Sequence, residues 1–294
     1  MISAFALTLS ACGGGGDEDE ILNTGSSTTS TSSSSDDNNS STTTTYVATI
    51  YASDNALLAS VLAGLIDGVD LDSDGNAQIT QDAIDATTTL YITRRELTSL
   101  AGIEYFVNLT TLDFHINNLT DVDLSALTAL TDLNCSQNAL NSLDLDKLTK
   151  LVVLDCSDTF NQSSSRGYSD GVLSLSKQSA LEELYCDGNQ LSDLDVSACT
   201  NLLILECQDN CLTSLDLSSN TALTKLICSN NQLSTLDIST LTNLTSLVCG
   251  SQTTGDIAIQ ISDGQESLIT ETDVSVLVTS NQTPLNGYDN NGVF

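Results

Sequence analysis

Positive charge is scarce in this sequence. Its 294 residues include 7 Lys and Arg against 39 Asp and Glu, which gives a formal net charge of −32. Nucleic acid and anionic lipid head groups are bound through clustered Lys and Arg side chains. We therefore expect no nucleic-acid partner and no adsorption to a membrane through surface charge.

Histidine and metal-binding spacings are also scarce. His115 is the single histidine, and the nine cysteines form no Cys-x-x-Cys motif. These absences remove the usual zinc spacings and the imidazole that most general acid–base catalysts use. A hydrolase would have to rely on carboxylate pairs, so an enzyme is the least favoured function. We expect no catalytic residues and no cofactor, apart from weak calcium binding at an Asp-rich segment.

No stretch reaches the roughly 18 consecutive apolar residues that a transmembrane helix needs. The chain begins with a short apolar run that ends in Leu9-Ser10-Ala11-Cys12. This run resembles the lipobox of bacterial lipoproteins, in which the signal is cut before a cysteine that is then lipidated. The resemblance implies a signal peptide at 1–11, lipidation of Cys12, and membrane attachment through the N-terminal lipid only.

Residues 12–45 consist mainly of Gly, acidic residues, Ser and Thr, with almost no apolar side chains. Such a composition cannot form a core, so it predicts a disordered tether. An acidic stretch soon after the lipidated cysteine also resembles the export tag of some Gram-negative surface lipoproteins. We therefore expect a lipid-anchored protein on the bacterial outer membrane or cell surface.

A repeat of 21 residues dominates the centre of the chain. Leucine opens successive units at positions 109, 130, 151, 181, 202, 223 and 244. The one step of 30 residues is a unit with nine inserted residues, which predicts an insertion at about 159–171. Self-similarity at this period indicates a solenoid, whose units bury their leucines by stacking.

Alternating residues within each unit predict a short strand. In the unit that begins at Leu181, Leu184 and Cys186 would face the core and Tyr185 would face solvent. Asn189 follows at the turn, where its amide can satisfy backbone groups. The cysteines that share the place of Cys186 are interpreted as small core residues with unpaired thiols: Cys135, Cys156, Cys207, Cys228 and Cys249.

The pattern L-x-x-L-x-C-x-x-N-x-L resembles the leucine-rich-repeat family. Residues 46–250 as a whole resemble bacterial surface leucine-rich-repeat proteins with 21-residue cysteine-type units. The resemblance implies a right-handed solenoid at 87–250, with a parallel β-sheet on its concave face and little helix. A small helical cap at 46–86 would precede it, and a β C-terminal cap with a tail would follow at 251–294.

An Asp-rich segment of the N-terminal cap resembles the calcium loop of EF-hand and dockerin domains. Its candidate metal ligands are Asp70, Asp72, Asp74, Asn76 and Asp82. Neither register supplies the bidentate Glu that completes such a loop, because Gln81 or Ala83 stands in its place. We expect weak calcium binding at most, and the alternative is an Asp/Gly-rich turn.

A second column, on the return path of the units, is acidic. It contains Asp123, Asp144, Asp195, Asp216 and Asp237. One interpretation is cation binding along the back of the solenoid. The other is a solvated face whose carboxylates accept local hydrogen bonds.

The outward positions of the strands form a wide face with polar, aromatic and aliphatic side chains, which suits recognition of another molecule. The predicted function is a non-enzymatic binding or adhesion module, monomeric, with an extracellular protein or glycan as partner. The alternative is a structural component of the envelope or matrix, cross-linked by cations. The expected ligand-binding residues are Asp155, Glu183, Tyr185, Asp187, Ile204, Glu206, Gln208, Lys225, Ile227 and Val248.

Overall fold

The computed structural model describes residues 44–160, 173–255, 257–262 and 264–265, together with the backbone of 277–280. The predicted signal peptide, Cys12, nearly all of the tether and residues 161–171 of the insertion lie outside the described residues. Within the described part of the chain, no helix has the length and apolar composition needed to span a bilayer.

The N-terminal cap combines helices with a small sheet. The three strands pair antiparallel in the order β1-β3-β2. The helices agree with the expected helical cap, whereas nothing in the sequence pattern predicts the sheet. The elements are β1 (Tyr46–Ile50), α1 (Ala52–Ala63), β2 (Val69–Leu71), β3 (Ala77–Thr80) and α2 (Gln81–Ala86).

The main sheet contains eight parallel strands of three residues each, in the order β12-β10-β9-β8-β7-β6-β5-β4. This arrangement confirms the prediction of a leucine-rich-repeat solenoid with little helix. A further strand, β11, lies between β10 and β12 in the chain but joins another sheet. The strands are β4 (Thr89–Tyr91), β5 (Thr111–Asp113), β6 (Asp132–Asn134), β7 (Val153–Asp155), β8 (Glu183–Tyr185), β9 (Ile204–Glu206), β10 (Lys225–Ile227), β11 (Thr235–Asp237) and β12 (Ser246–Val248).

Each strand of the main sheet buries its central leucine. The register pairs Leu133 with Leu154 and Leu154 with Leu184, so that the leucines stack in a column. Leu184 and Cys186 are both fully buried, whereas Tyr185 between them is half-buried on the outer surface. This confirms the predicted alternation. The buried side chains of all units form one hydrophobic core that extends from the N-terminal cap to Ile261.

The buried asparagines hold consecutive turns together. The side chain of Asn210 donates to the carbonyl oxygens of Cys186 and Cys207 at 3.0 and 3.2 Å. Its Oδ1 accepts the backbone N–H of Leu191 at 2.8 Å. In the turn after β7 a buried threonine, Thr159, takes this place and donates to the carbonyl oxygen of Cys135 at 3.1 Å. Thr159 was assigned to the insertion by sequence, but it belongs to the solenoid itself.

The C-terminal strands continue the return side of the solenoid. The strand β13 (Ala258–Ile261) pairs parallel with β11, and β14 (Leu277–Ser280) pairs with β13. Ile257, Ile259 and Ile261 are buried, as the alternation of isoleucines predicts. Because β11 lies in the return half of its unit, this cap leaves β12 at the end of the main sheet.

Candidate functional site

The exposed strand face is the outer surface of the main sheet. The name covers the two residues that flank the central leucine of each strand and the residue that lies two positions after the strand ends. Since side chains alternate along a strand, these residues point away from the core. Every residue that the sequence predicts to bind a ligand lies here, on β7 to β10 and β12 or just after β8 and β9.

A depression of about 260 Å³ lies on the exposed strand face, over its N-terminal half. Tyr91 on β4 and Tyr185 on β8 mark its two ends, four strands apart. At the usual spacing of about 4.8 Å between strands, their strands are about 19 Å apart. The depression is also lined by Thr111, Leu112, Asp113, Asp132, Leu133, Asn134, Val153 and Asp155.

The depression contains only two of the residues selected by sequence, Asp155 and Tyr185. The other selected residues lie mostly on β9, β10 and β12, further along the sheet. Tyr91 was missed because it belongs to the first, atypical unit. The register pairs Tyr91 with Asp113, so aligning that unit with the next would have placed Tyr91 on the face.

Two charge-bearing pairs fix side chains on the exposed strand face. The Tyr185 hydroxyl donates to Glu183 Oε2 at 2.8 Å, and Lys225 Nζ donates to Glu206 Oε1 at 2.6 Å. Partial burial, with the hydrogen bond to Glu183, raises the pKa of Tyr185 to about 12. Tyr185 is therefore a neutral, oriented aromatic side chain at neutral pH.

Asp187 follows β8 and is half-buried among other carboxylates. Burial, together with the charges of Asp158, Asp155 and Glu206, raises the pKa of Asp187 to about 6. A hydrogen bond from its own backbone acts in the opposite direction. The ionised carboxylate is therefore disfavoured here, and a nearby cation would favour it.

Each aspartate of the acidic column on the return path accepts a hydrogen bond within a local turn. In Asp195 and Asp216, Oδ1 accepts the N–H of the residue two positions later, Ser197 or Ser218, at 2.9 Å. Hydrogen bonds from these serines hold the pKa of both aspartates below the usual value. Asp123, Asp144 and Asp237 form the same turn, as the local hydrogen-bond interpretation predicts.

The Asp-rich segment forms the turn between β2 and β3. Asp72 Oδ1 accepts the N–H groups of Asp74 and Asn76 at 3.0 and 2.9 Å. Its Oδ2 accepts from the side chains of Asn76 and Gln78, both at 2.9 Å. These bonds, led by the side chain of Asn76, lower the pKa of Asp72. A calcium ion would therefore have to displace donors that already satisfy this carboxylate.

The other predicted calcium ligands are partly engaged as well. Asp70 accepts from the hydroxyl of Tyr46 at 2.9 Å, and Asn76 Oδ1 accepts the N–H of Ala52 at 2.9 Å. Asp82 lies in the first turn of α2. Across the described residues, no group of three or more His, Cys, Asp and Glu side chains has a geometry that could hold a metal ion.

The cysteine column lies in the core and carries free thiols at Cys135, Cys156, Cys186, Cys207 and Cys228. Burial raises the pKa of Cys135 and Cys207 to about 12, and it raises the pKa of the other three well above the usual value. Because the thiolate is the reactive form, these side chains act as small core residues.

Solved structures of bacterial leucine-rich-repeat proteins are similar to this chain. Internalin C2 from Listeria monocytogenes matches over 77% of this chain and 93% of that chain, with 25% identity and a TM-score of 0.56. The functional domain of InlJ from the same organism, which includes a cysteine ladder, matches over 79% of this chain with 24% identity and a TM-score of 0.48. This chain spans 61% of that domain. No protein-family model and no curated protein sequence matches the chain. The likeness to internalin C2 supports its leucine-rich-repeat fold.

Proposed function

We propose that the protein is a non-enzymatic binding module that recognises an extracellular protein or glycan through its exposed strand face. The observation that supports this most is the depression between Tyr91 and Tyr185. Tyr91 is 61% exposed, so most of its ring contributes nothing to the core. Exposed aromatic side chains at an open, concave surface are typical contact anchors.

The surroundings of the depression also favour binding. The side chains between the two tyrosines are held by local bonds: His115 Nδ1 lies 2.6 Å from Asp113 Oδ1, and Asp155 accepts from Ser157. Side chains with fixed positions lose little conformational freedom when a partner binds. A rigid, mixed polar and aromatic surface therefore supports recognition.

The proposal includes the predicted location of the protein. Lipidation of Cys12 would attach it to the outer face of a bacterial membrane, and residues 12–45 would act as the tether. A flexible segment of this composition spans roughly 30 Å between its ends. The exposed strand face would then be accessible to partners outside the cell.

The test compares two exposed-face variants, Tyr185→Ala and Ile227→Asp, in capture of partners from extracellular extracts and from a glycan array. Captured proteins are identified by mass spectrometry. Both residues lie on the exposed strand face and neither is part of the core, so we expect little change in melting temperature. Both variants should nonetheless reduce capture.

The matched control carries Asp216→Asn and Asp237→Asn on the return path, where an asparagine can keep the local turn. Capture should be unchanged in this variant. If the control loses capture while Tyr185→Ala and Ile227→Asp keep it, the proposed function is wrong and a cation-linked structural role takes its place.

A further inference from the structure

The exposed strand face is acidic as well as aromatic. On this face, among the described residues, Lys225 Nζ lies 2.6 Å from Glu206 Oε1, and His115 Nδ1 lies 2.6 Å from Asp113 Oδ1. Among the described residues, the other carboxylates of the face form no ion pair with a Lys, Arg or His side chain. Because complementary charge guides association, the face favours a positively charged partner. Its carboxylates are Asp113, Asp132, Asp155, Glu183, Asp187 and Glu206.

The charge of Asp155 is not needed to form its turn. Asp155 Oδ1 accepts the N–H and the hydroxyl of Ser157 at 3.0 and 2.7 Å. One turn earlier, Asn134 Oδ1 accepts the N–H and the hydroxyl of Ser136 at the same two distances. An uncharged amide therefore makes the same two hydrogen bonds. The negative charge at Asp155 therefore lies in the depression without being needed for this turn.

The shape of the depression indicates what kind of ligand it suits. Its volume of about 260 Å³ is below the roughly 300–1,000 Å³ that is usual for pockets that enclose a small molecule. It extends instead across five strands, β4 to β8. An extended peptide rises about 3.3 Å per residue, so about six residues would cover the distance of about 19 Å between the strands of the two tyrosines.

We propose that the partner is a protein with a basic segment that lies across β4 to β8, with Lys or Arg side chains directed at Asp132 and Asp155. This inference rests on the proposed function and deepens it by naming the chemistry of the partner. Tyr91 and Tyr185 would contact the two ends of the segment, where their rings favour cationic side chains. A bound cation would also offset the repulsion among Asp155, Asp187 and Glu206.

The experiment uses the full chain on a biosensor surface and a short, otherwise neutral peptide with two lysines as the probe. A second peptide carries the same sequence with both lysines Nε-acetylated. We expect the acetylated peptide to bind at least about tenfold more weakly, because hydrogen bonds to a charged group are among the strong ones.

The decisive comparison is between two double variants that remove the same charge. The first, Asp132→Asn with Asp155→Asn, should weaken binding of the lysine peptide at least about tenfold. The second, Asp195→Asn with Asp216→Asn on the return path, should change it less than about twofold, since exposed charges beyond the screening length contribute little. Because Asn134 forms the equivalent turn, we expect asparagine at position 155 to keep the local structure.

An equal loss in both double variants would overturn the inference, because binding would then reflect only the net charge of −32. Equal binding of the acetylated peptide would also overturn it. Tyr91→Ala provides a second variant at an exposed position, and unchanged lysine-peptide binding there would contradict the proposed pose. If the inference fails while Tyr185→Ala still reduces partner capture, the proposed function stands; if Tyr185→Ala has no effect either, both fail.

Discussion

Asn189 and Cys156 join two consecutive turns of the solenoid. The side-chain amide of Asn189 donates to the carbonyl oxygen of Cys156 at 2.7 Å and to that of Cys186 at 3.0 Å. Its Oδ1 accepts the N–H groups of Thr159 and Phe160 at 2.9 and 3.0 Å. Asn189 is 1% exposed, so water cannot replace these bonds if the amide is lost.

We predict that Asn189→Ala lowers the free energy of unfolding by at least about 3 kcal/mol, because each buried backbone group left without a partner costs about 1–3 kcal/mol. Urea denaturation followed by circular dichroism measures the change. The control is Asn201→Ala, which removes one exposed hydrogen bond to Ser179 and should cost less than about 1 kcal/mol. Equal small losses would show that the asparagine column does not hold the turns together.

The repeat period predicts much of this fold because every unit meets the same physical requirements. The side chain at the position of Leu184 must be buried, and the side chain at that of Asn189 must bond to backbone groups of the turn. The residue types at these positions therefore identify the leucine column and the asparagine column. Gln252 takes the asparagine place in the last turn and donates to Cys228 and Cys249 at 3.0 and 2.8 Å. Its amide makes the same hydrogen bonds from a longer side chain. A sequence pattern that specifies asparagine at this place does not detect the glutamine.

The remaining features depend on contacts between distant residues. The N-terminal sheet pairs Val69 with Ile79 across a turn, and its short strands have no clear periodicity in sequence. The outward direction of Asp155 and Tyr185 could be predicted from alternation. The position of the depression could not, because side chains from five strands together form its lining.

Asp187 gives a prediction about pH. Its raised pKa means that the folded protein holds this proton more tightly than the unfolded chain does. The stabilisation is therefore complete below pH 3.8 and is lost as the pH rises through about 6. We predict that Asp187→Asn raises the melting temperature at about pH 7.5 and has a smaller effect at about pH 4.

Asp195 provides the opposite control, because its pKa is lowered by Ser197. Asp195→Asn should not raise the melting temperature at neutral pH. If both substitutions shift stability in the same direction at neutral pH, the account of the charge on Asp187 is wrong. Thermal denaturation of the two variants between about pH 4 and about pH 7.5 distinguishes these outcomes.

Buried thiols predict a loss of stability in alkali. Burial raises the pKa of Cys207 from 9.0 to about 12, so the unfolded chain loses this proton first and stability falls between those values. Cys207→Ala should reduce the slope of unfolding free energy against pH by about 1.4 kcal/mol per pH unit in this window. Val196→Ala, at another buried position, should lower stability without changing the slope. An unchanged slope in Cys207→Ala would contradict the prediction.

Calcium binding at the Asp-rich turn should be weak. Asp72 already accepts bonds from Asp74, Asn76 and Gln78, and the chain supplies no bidentate Glu there. We predict a dissociation constant no tighter than about 10⁻⁴ M, as in weak extracellular calcium modules. Isothermal titration calorimetry measures it, and a micromolar site that Asp72→Ala abolishes would prove the prediction wrong.

The most direct test of the central claim is site-specific photo-crosslinking. The photoreactive amino acid benzoylphenylalanine is introduced either at the position of Tyr185 on the exposed strand face or at that of Asp216 on the return path. Each protein is irradiated with the partner that the unmodified chain captures, and adducts are identified by mass spectrometry. The account predicts an adduct from position 185 and none from position 216. An adduct from position 216 alone would show that the partner binds the opposite side of the solenoid.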